Sequence, residues 1–287
     1  MLQLLQTICL TVIPIRDCWI YGVNMEYDPI KNKLAIWLSV VPGMRWMMFS
    51  ALDMLLLRQR YVKREIRQCF PPQGKDAFYD AGAGFCQYSW YVLSKWHDAR
   101  VHATDLKLDY LESFALYAKA RMGDRFSYRR GDLQSYQPKG EFDMAVAIDI
   151  LEHIPDDLAV MRNILAVLKP GGVLIISTPS DTDPAAKYTA EHVRPGYDKA
   201  QLEAKLLATG FQIRKSYYSY GRWGHLAWLL MMKYPLTLIQ KKLWLLLPLY
   251  YLLVYPAAEV CMRLDMAKQN ASGTGIIVVA ERNAGHE

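Results

Sequence analysis

Residues 78–95 read FYDAGAGFCQYSWYVLSK, and the fold turns on this stretch. An apolar run closes on Asp80, Gly82 and Gly84 form a turn, and a helical pattern opens near Cys86. Two glycines in such a turn permit positive φ and let a ligand approach bare backbone, while the helix start offers N–H groups with no intrahelical partner. A dinucleotide fingerprint needs a third glycine at position 87, where Gln87 stands, and this argues against NAD or FAD. Taken alone, the glycine pair is equally compatible with an ordinary tight turn.

Downstream the strand–helix alternation continues. Strands are expected at 77–81, 100–105, 126–130, 142–149 and 171–178, with helices near 86–97, 107–121, 156–168 and 198–209. Such alternation predicts a parallel sheet with helices on both faces. Lys169-Pro170-Gly171-Gly172 is expected to end the fourth helix ahead of the buried run VLIIST at 173–178. A sixth strand is read at 211–219 and a last one at 275–281 (GIIVVAE). Asp80, Asp105, Asp132 and Asp149 then close four successive strands. Open α/β sheets bind ligands at that edge, and a carboxylate at Asp105 suits the two hydroxyls of a ribose.

With these residues in place the chain resembles the class I S-adenosylmethionine-dependent methyltransferases. The nearest look is the branch with a Glu-His-Ile segment, here Glu152 to Ile154, and a Lys-Pro-Gly-Gly turn, here 169–172. That branch includes ubiquinone and menaquinone C-methyltransferases and related small-molecule and lipid enzymes. The likeness covers 76–221 plus the closing strand. It implies an α/β fold, a Rossmann-like doubly wound sheet of seven strands, mostly parallel with an antiparallel last strand, and S-adenosyl-L-methionine as cofactor. It further implies that Asp80, Ala81, Gly82 and Gly84 hold the methionine end of the cofactor. Asp105 with Leu106 would take the ribose, Asp132 with Leu133 the adenine, and Asp149 the methionine side. The family's third glycine is Cys86 here. After the fourth strand the chain reads IDILEHIP instead of the Asn/Asp-Pro-Pro-aromatic segment of amine-methylating DNA enzymes, which argues against a DNA substrate.

The reaction so implied is direct displacement at a sulfonium methyl, to which a protein contributes mainly alignment and desolvation. An oxygen or carbon nucleophile also needs a base, and His153, four residues beyond Asp149, is a candidate. It is equally a candidate for orienting the loop before the helix at Asp156. A second group, EHVRPGY at 191–197, offers His192, Arg194 and Tyr197 over an acceptor pocket, with Arg194 suited to an anionic or phenolate group. The alternative is a capped surface loop leading into a helix.

Composition separates core from flanks. The 287 residues are 52% hydrophobic and 22% charged, which excludes a disordered chain and a disulfide mini-scaffold. The net charge is +6, but residues 76–221 hold 17 basic and 19 acidic side chains, whereas 1–75 hold 10 and 5 and 222–272 hold 6 and 2. An acidic core disfavours RNA. Cys9, Cys18, Cys69, Cys86 and Cys261 form no C-x-x-C pair, so no metal site is expected and a reducing compartment is. Residues 1–24 lack the basic start and cleavage site of a signal peptide, and Met25 opens an alternative start.

Residues 45–69 read as one basic amphipathic helix, either packed on the core or lying on a membrane, with a boundary at Pro71-Pro72 and Gly74. The run Leu243 to Ala258 is apolar, interrupted by Pro248 and Pro256, and 16 residues long, short of the roughly 18–20 that cross a bilayer. Beside Lys241-Lys242 it reads as an element at the headgroup level, or as a substrate cap or dimer interface.

The expected segments are therefore a basic helical 1–75, a cofactor-binding core 76–221, an apolar insert 222–272, and a closing strand with tail 273–287. The function expected is methylation of an amphipathic small molecule or lipid by a cytoplasmic protein at the inner membrane surface. A SAM-binding partner protein without catalysis and an RNA methyltransferase are the alternatives.

Overall fold

The computed structural model describes residues 44–70, 76–182 and 193–284. Helices α1 (Met44–Leu55) and α2 (Leu57–Cys69) precede β1 (Ala77–Ala81), α3 (Gln87–Lys95), β2 (Arg100–Asp105), α4 (Leu108–Met122), β3 (Phe126–Arg130) and β4 (Phe142–Ile148). Next come α5 (Asp157–Val167), β5 (Leu168–Pro179), α6 (Lys199–Thr209) and β6 (Phe211–Ser219). Helices α7 (Arg222–Trp228), α8 (Tyr234–Gln240) and α9 (Leu247–Ala267) separate β6 from β7 (Gly275–Arg282). The seven strands lie in the order β3-β2-β1-β4-β5-β7-β6. All neighbours up to β5 are parallel, and β7 runs antiparallel between β5 and β6. The mixed, mostly parallel doubly wound sheet is the one expected.

Period-two alternation distributes the strand side chains between two cores. Phe78, Met144, Val146, Val173, Ile175, Ile277 and Val279 face α1 to α4 with α7 and α9. Tyr79, Ala145, Ala147, Leu174, Ile176, Ile276 and Val278 face α5 and α6. Strands buried on both faces must be apolar throughout, which is why β5 and β7 read as unbroken β-branched runs.

Three local expectations are corrected. The single helix over 45–69 is two helices, because Leu56 is extended (φ −106, ψ 110). The break turns Leu57, Tyr61, Val62 and Ile66 into the core, and basic residues of α2 pair with acids instead of lying free, Arg58 with Asp149, Arg60 with Glu259 and Lys63 with Asp53. Helix α5 stops at Val167, and the Lys-Pro-Gly-Gly segment already belongs to β5, with a register shift opposite Phe142 and Met144. Pro248 and Pro256 do not interrupt the apolar run. Pro248 sits in the first turn of α9, where no N–H is needed, and Pro256 lies inside a continuous helix, forgoing only the bond to Leu252.

Trp244 to Ala267 is thus long and apolar enough, by length and composition alone, to cross a membrane, and little of its apolar stretch is buried. Its charged end is neutralised internally. Glu259 pairs with Arg60 at 2.7 Å and with Arg263 at 2.7 Å, and Asp265 accepts from the Tyr61 hydroxyl at 2.8 Å and the Gly224 N–H at 2.9 Å.

Candidate active site

The carboxyl ends of β1 to β4 open into a cavity of about 460 Å³, within the range of small-molecule sites. One wall is the turn after β1. Gly82 and Ala83 donate their N–H groups to the Thr104 carbonyl at 2.8 and 3.1 Å, pinning the turn to β2. Gly82 (φ +79) and Gly84 (φ +50) occupy the left-handed region. A Cβ on Gly84 would meet nothing within 4 Å, so this backbone lies open to the cavity. Cys86 also adopts φ 60 and ψ 34 despite its side chain, capping α3 in a conformation that suits glycine.

Three of the four strand-end acids reach the cavity. Asp105 accepts the Gly84 N–H at 2.8 Å on one oxygen and the Lys107 N–H at 2.9 Å on the other. Each oxygen keeps a lone pair, so the carboxylate can still take a pair of hydroxyls. Asp132 accepts the Gln134 N–H at 2.9 Å beside Leu133 and Leu106, which also line the wall. Asp149 (φ 49) follows β4, donates its N–H to the Ser177 carbonyl at 2.7 Å, and forms an ion pair with Arg58. Phe85 and Tyr110 stack at 4.5 Å between these groups.

The fourth acid does not. Asp80 is 2% exposed and accepts the Ser89 N–H at 3.1 Å and the Ser89 hydroxyl at 2.6 Å, so it caps α3 from behind the turn. Burial, with the nearby Asp105 charge, raises its pKa to about 6 against those two hydrogen bonds. Ala81 is buried in the core beneath it. These two support the cradle and do not line it.

His153 lines the cavity from the short 3₁₀ turn Leu151–His153, its N–H bonded to the Ile150 carbonyl at 3.1 Å. The other acceptor-side residues are elsewhere. Arg194 donates to the Leu151 and Pro155 carbonyls at 2.6 and 3.0 Å. Tyr197, 3% exposed, donates its hydroxyl to Asp157 at 2.6 Å. Burial works against the charge on Asp157, but hydrogen bonds from Lys205 and Tyr197 and the Arg194 charge hold it below the usual carboxylate range. Arg194 and Tyr197 therefore clamp the chain just before α6 onto α5 and the turn ahead of it, and the reading that placed them over the acceptor pocket is corrected: both side chains point into the fold. His192 lies outside the described residues.

Reading the sequence missed Arg58 and Tyr88, both on the cavity wall. Tyr88 follows the glycine turn and could have been found from its place in α3. Arg58 carries no local signal, because only the break at Leu56 and the packing of α2 bring it to Asp149.

A nucleoside joined to an amino acid fits this arrangement: an open glycine backbone, a carboxylate with lone pairs to spare at Asp105, and the stacked Phe85 and Tyr110 on the cavity wall. Residues 79–174 match the family model for a methyltransferase domain. A ubiquinone biosynthesis O-methyltransferase of Xanthomonas euvesicatoria is 33% identical over 132 residues, 40% of this chain and 54% of that protein. One from Xanthomonas campestris is 49% identical over 55 residues, 19% of this chain and 22% of that protein. The chain thus spans about half, or less, of the length of the curated relatives it matches. Among solved structures, phosphoethanolamine N-methyltransferase 2 of Haemonchus contortus, in complex with S-adenosyl-L-methionine, shares the fold with a TM-score of 0.53. It is 20% identical and is covered over 76% of this chain and 51% of that one. The matched block holds the glycine turn, Asp105, Asp132 and Asp149 that line the cavity, and residues 79–174 form a methyltransferase domain.

Proposed function

We propose that the protein transfers a methyl group from S-adenosyl-L-methionine to an oxygen or carbon of an amphipathic small molecule or lipid at the cytoplasmic face of a membrane. The observation that carries the chemistry is the Gly84–Asp105 hydrogen bond, which fixes a ribose-binding carboxylate against an open glycine backbone. When bound, the cofactor supplies a methyl carbon made electrophilic by the sulfonium charge. The glycine turn and Asp105 hold that carbon in one place, and alignment of this kind is the main contribution to such a displacement. His153 lines the cavity wall beyond Asp149, and we assign to it the proton taken from the attacking group. Oxygen methylation of a quinone precursor is favoured by the two ubiquinone biosynthesis O-methyltransferases to which the chain is similar.

The membrane component rests on the insert. Leu245, Leu249, Leu252 and Leu253 are 64%, 55%, 73% and 69% exposed, an apolar stripe too large to leave in water. Lys233, Lys241 and Lys242 are exposed beside it, while both acids of the insert are turned inward to α2 and α7. An apolar face rimmed by lysines matches an anionic bilayer surface.

Two outcomes test these readings. Calorimetry should show S-adenosylhomocysteine binding that Asp105→Ala weakens at least tenfold; equal affinity would remove the ribose assignment. Flotation with vesicles containing acidic phospholipid should retain the wild type and release Leu252→Glu/Leu253→Glu, with Lys241→Glu/Lys242→Glu weakened at least tenfold at low salt. Flotation of all three alike would remove the insert from the membrane. The reaction itself is tested by incubation with labelled S-adenosylmethionine and total lipid extract, with mass spectrometry of any product that gains a methyl group.

A further inference from the structure

We infer that α9 lies flat in one leaflet and seats the carboxyl edge of the sheet, with the cavity, on the bilayer, so that the acceptor enters from the lipid phase. This rests on the membrane component proposed above and adds to it an orientation and a source for the acceptor.

Helix α9 divides its two faces sharply. Leu249, Leu252, Leu253, Pro256 and Val260 are exposed and recur at the three- and four-residue spacing of one helix face. Ala258, Cys261, Met262 and Asp265, on the other face, are buried. Nearer its start, Tyr250 and Tyr251 donate their hydroxyls to the Leu230 and Met231 carbonyls at 2.7 and 3.1 Å, which ties this end to the turn Leu229–Lys233. A helix with an apolar stripe along one side and its own domain along the other belongs in the plane of an interface. Crossing would tear α9 from α2 and α7. It would also strip Asp265 of the Tyr61 hydroxyl and the Gly224 N–H and carry its carboxylate toward hydrocarbon. The stretch ahead of the buried Ala258, residues 244–257, would reach about 21 Å at 1.5 Å per residue, against roughly 30 Å of hydrocarbon.

The orientation follows from the topology. The insert leaves the sheet after Ser219 and rejoins it at Gly275, and these two residues pair with each other. Gly275 also pairs with Pro179, the last residue of β5. Both connections thus lie at the carboxyl edge, the edge at which the cavity opens. Helix α2 links the two: Arg58 lines the cavity, and two residues on Arg60 pairs with Glu259 and reaches the Tyr255 hydroxyl at 3.4 Å. Tyr255 is one helical turn from Leu252. The cavity rim carries an apolar group of its own, Leu106, which is 62% exposed. A cleft held at the headgroup level in this way suits an acceptor whose apolar part stays in hydrocarbon while its reacting atom reaches the cofactor.

The test uses the full chain on vesicles containing acidic phospholipid. Fluorophores are attached in separate variants at Asp109→Cys, Asp124→Cys and Leu252→Cys, and the signal of the unsubstituted chain is subtracted. Asp109 stands in the first turn of α4 at the carboxyl edge and Asp124 just past its end at the amino edge, about 22 Å apart at 1.5 Å per residue. A nitroxide on the lipid headgroup is expected to quench the Asp109 label at least twofold more than the Asp124 label. Equal quenching, or the opposite order, overturns the orientation. For the Leu252 label, a nitroxide high on the acyl chain is expected to quench more than one at the terminal methyl; the reverse would mean that α9 crosses and overturns the one-leaflet placement. The source of the acceptor is read from methyl transfer to total lipid extract, diluted tenfold into inert phospholipid at constant bulk concentration. Incorporation should fall at least threefold, whereas an unchanged rate would mean that the acceptor enters from water. Absence of wild-type flotation, with S-adenosylhomocysteine still bound, would instead overturn the membrane component itself.

Discussion

Replacing Gly82 with alanine is expected to abolish S-adenosylhomocysteine binding and to lower stability by about 2–4 kcal/mol in urea denaturation, combining left-handed strain with overpacking. Gly82 has φ +79, where an alanine is strained whatever the surrounding space. The space is absent as well. The new Cβ would lie 2.6 Å from Ile150 Cγ1 and 3.0 Å from Ile150 Cβ. A clash at Cβ cannot be relieved by rotating the end of the side chain, so the residue after Asp149 must move. Ile150 lines the cavity, and its displacement carries the wall between the glycine turn and Asp149 into the cleft. Gly84→Ala separates the two effects. Its φ is +50 but its Cβ would meet nothing within 4 Å, so only the strain remains, about 1–2 kcal/mol, while the added methyl projects into the ligand space. Tight S-adenosylhomocysteine binding by Gly84→Ala would show that the turn is not the cofactor cradle.

The same residues explain what could be read from the sequence. Wherever position along a strand decides a residue's surroundings, the pattern was sufficient: Asp105, Asp132 and Asp149 each end a strand, and a parallel sheet delivers all three to one edge. The two-sided burial of β4, β5 and β7 was equally visible, because no other environment tolerates unbroken apolar runs of that length. Asp80 shows the limit. It too sits near a strand end, but its side chain points to the helix side, where Ser89 offers two donors, and periodicity cannot tell which polar partner captures a carboxylate. Arg194 and Tyr197 failed for a related reason: an arginine suited to a phenolate is equally suited to two carbonyls and Asp157. Arg58 was out of reach altogether, since its role depends on a break at Leu56 and on contacts 162 to 204 residues distant in sequence.

Asp80→Asn is expected to remove a pH dependence from the stability of the protein while leaving cofactor binding within severalfold of wild type. Asp80 is fully enclosed, and its pKa is raised to about 6 from an ordinary 3.8, through burial and the neighbouring Asp105 charge. Between those two values the folded protein keeps a proton that the unfolded chain has lost. The folded state then binds more protons, so stability falls as pH rises across this window, and each tenfold difference in proton affinity between the two states is worth about 1.4 kcal/mol. Between pH 4 and pH 7.5 the loss is on the order of 2–3 kcal/mol. An asparagine carbonyl can accept from the Ser89 N–H and hydroxyl as the carboxylate does, so the cap on α3 survives. Whatever fixed cost its buried amide adds is the same at every pH. The quantity to measure is therefore how the stability gap between variant and wild type changes in urea titrations across that range. It should move in favour of the variant as pH rises; a constant gap would mean that Asp80 ionises in the folded protein as it does in the unfolded chain. Calorimetry on the same variant tests its place in the site. A tenfold loss of S-adenosylhomocysteine affinity, as expected for Asp105→Ala, would return Asp80 to the cofactor's methionine end and contradict its position behind the glycine turn.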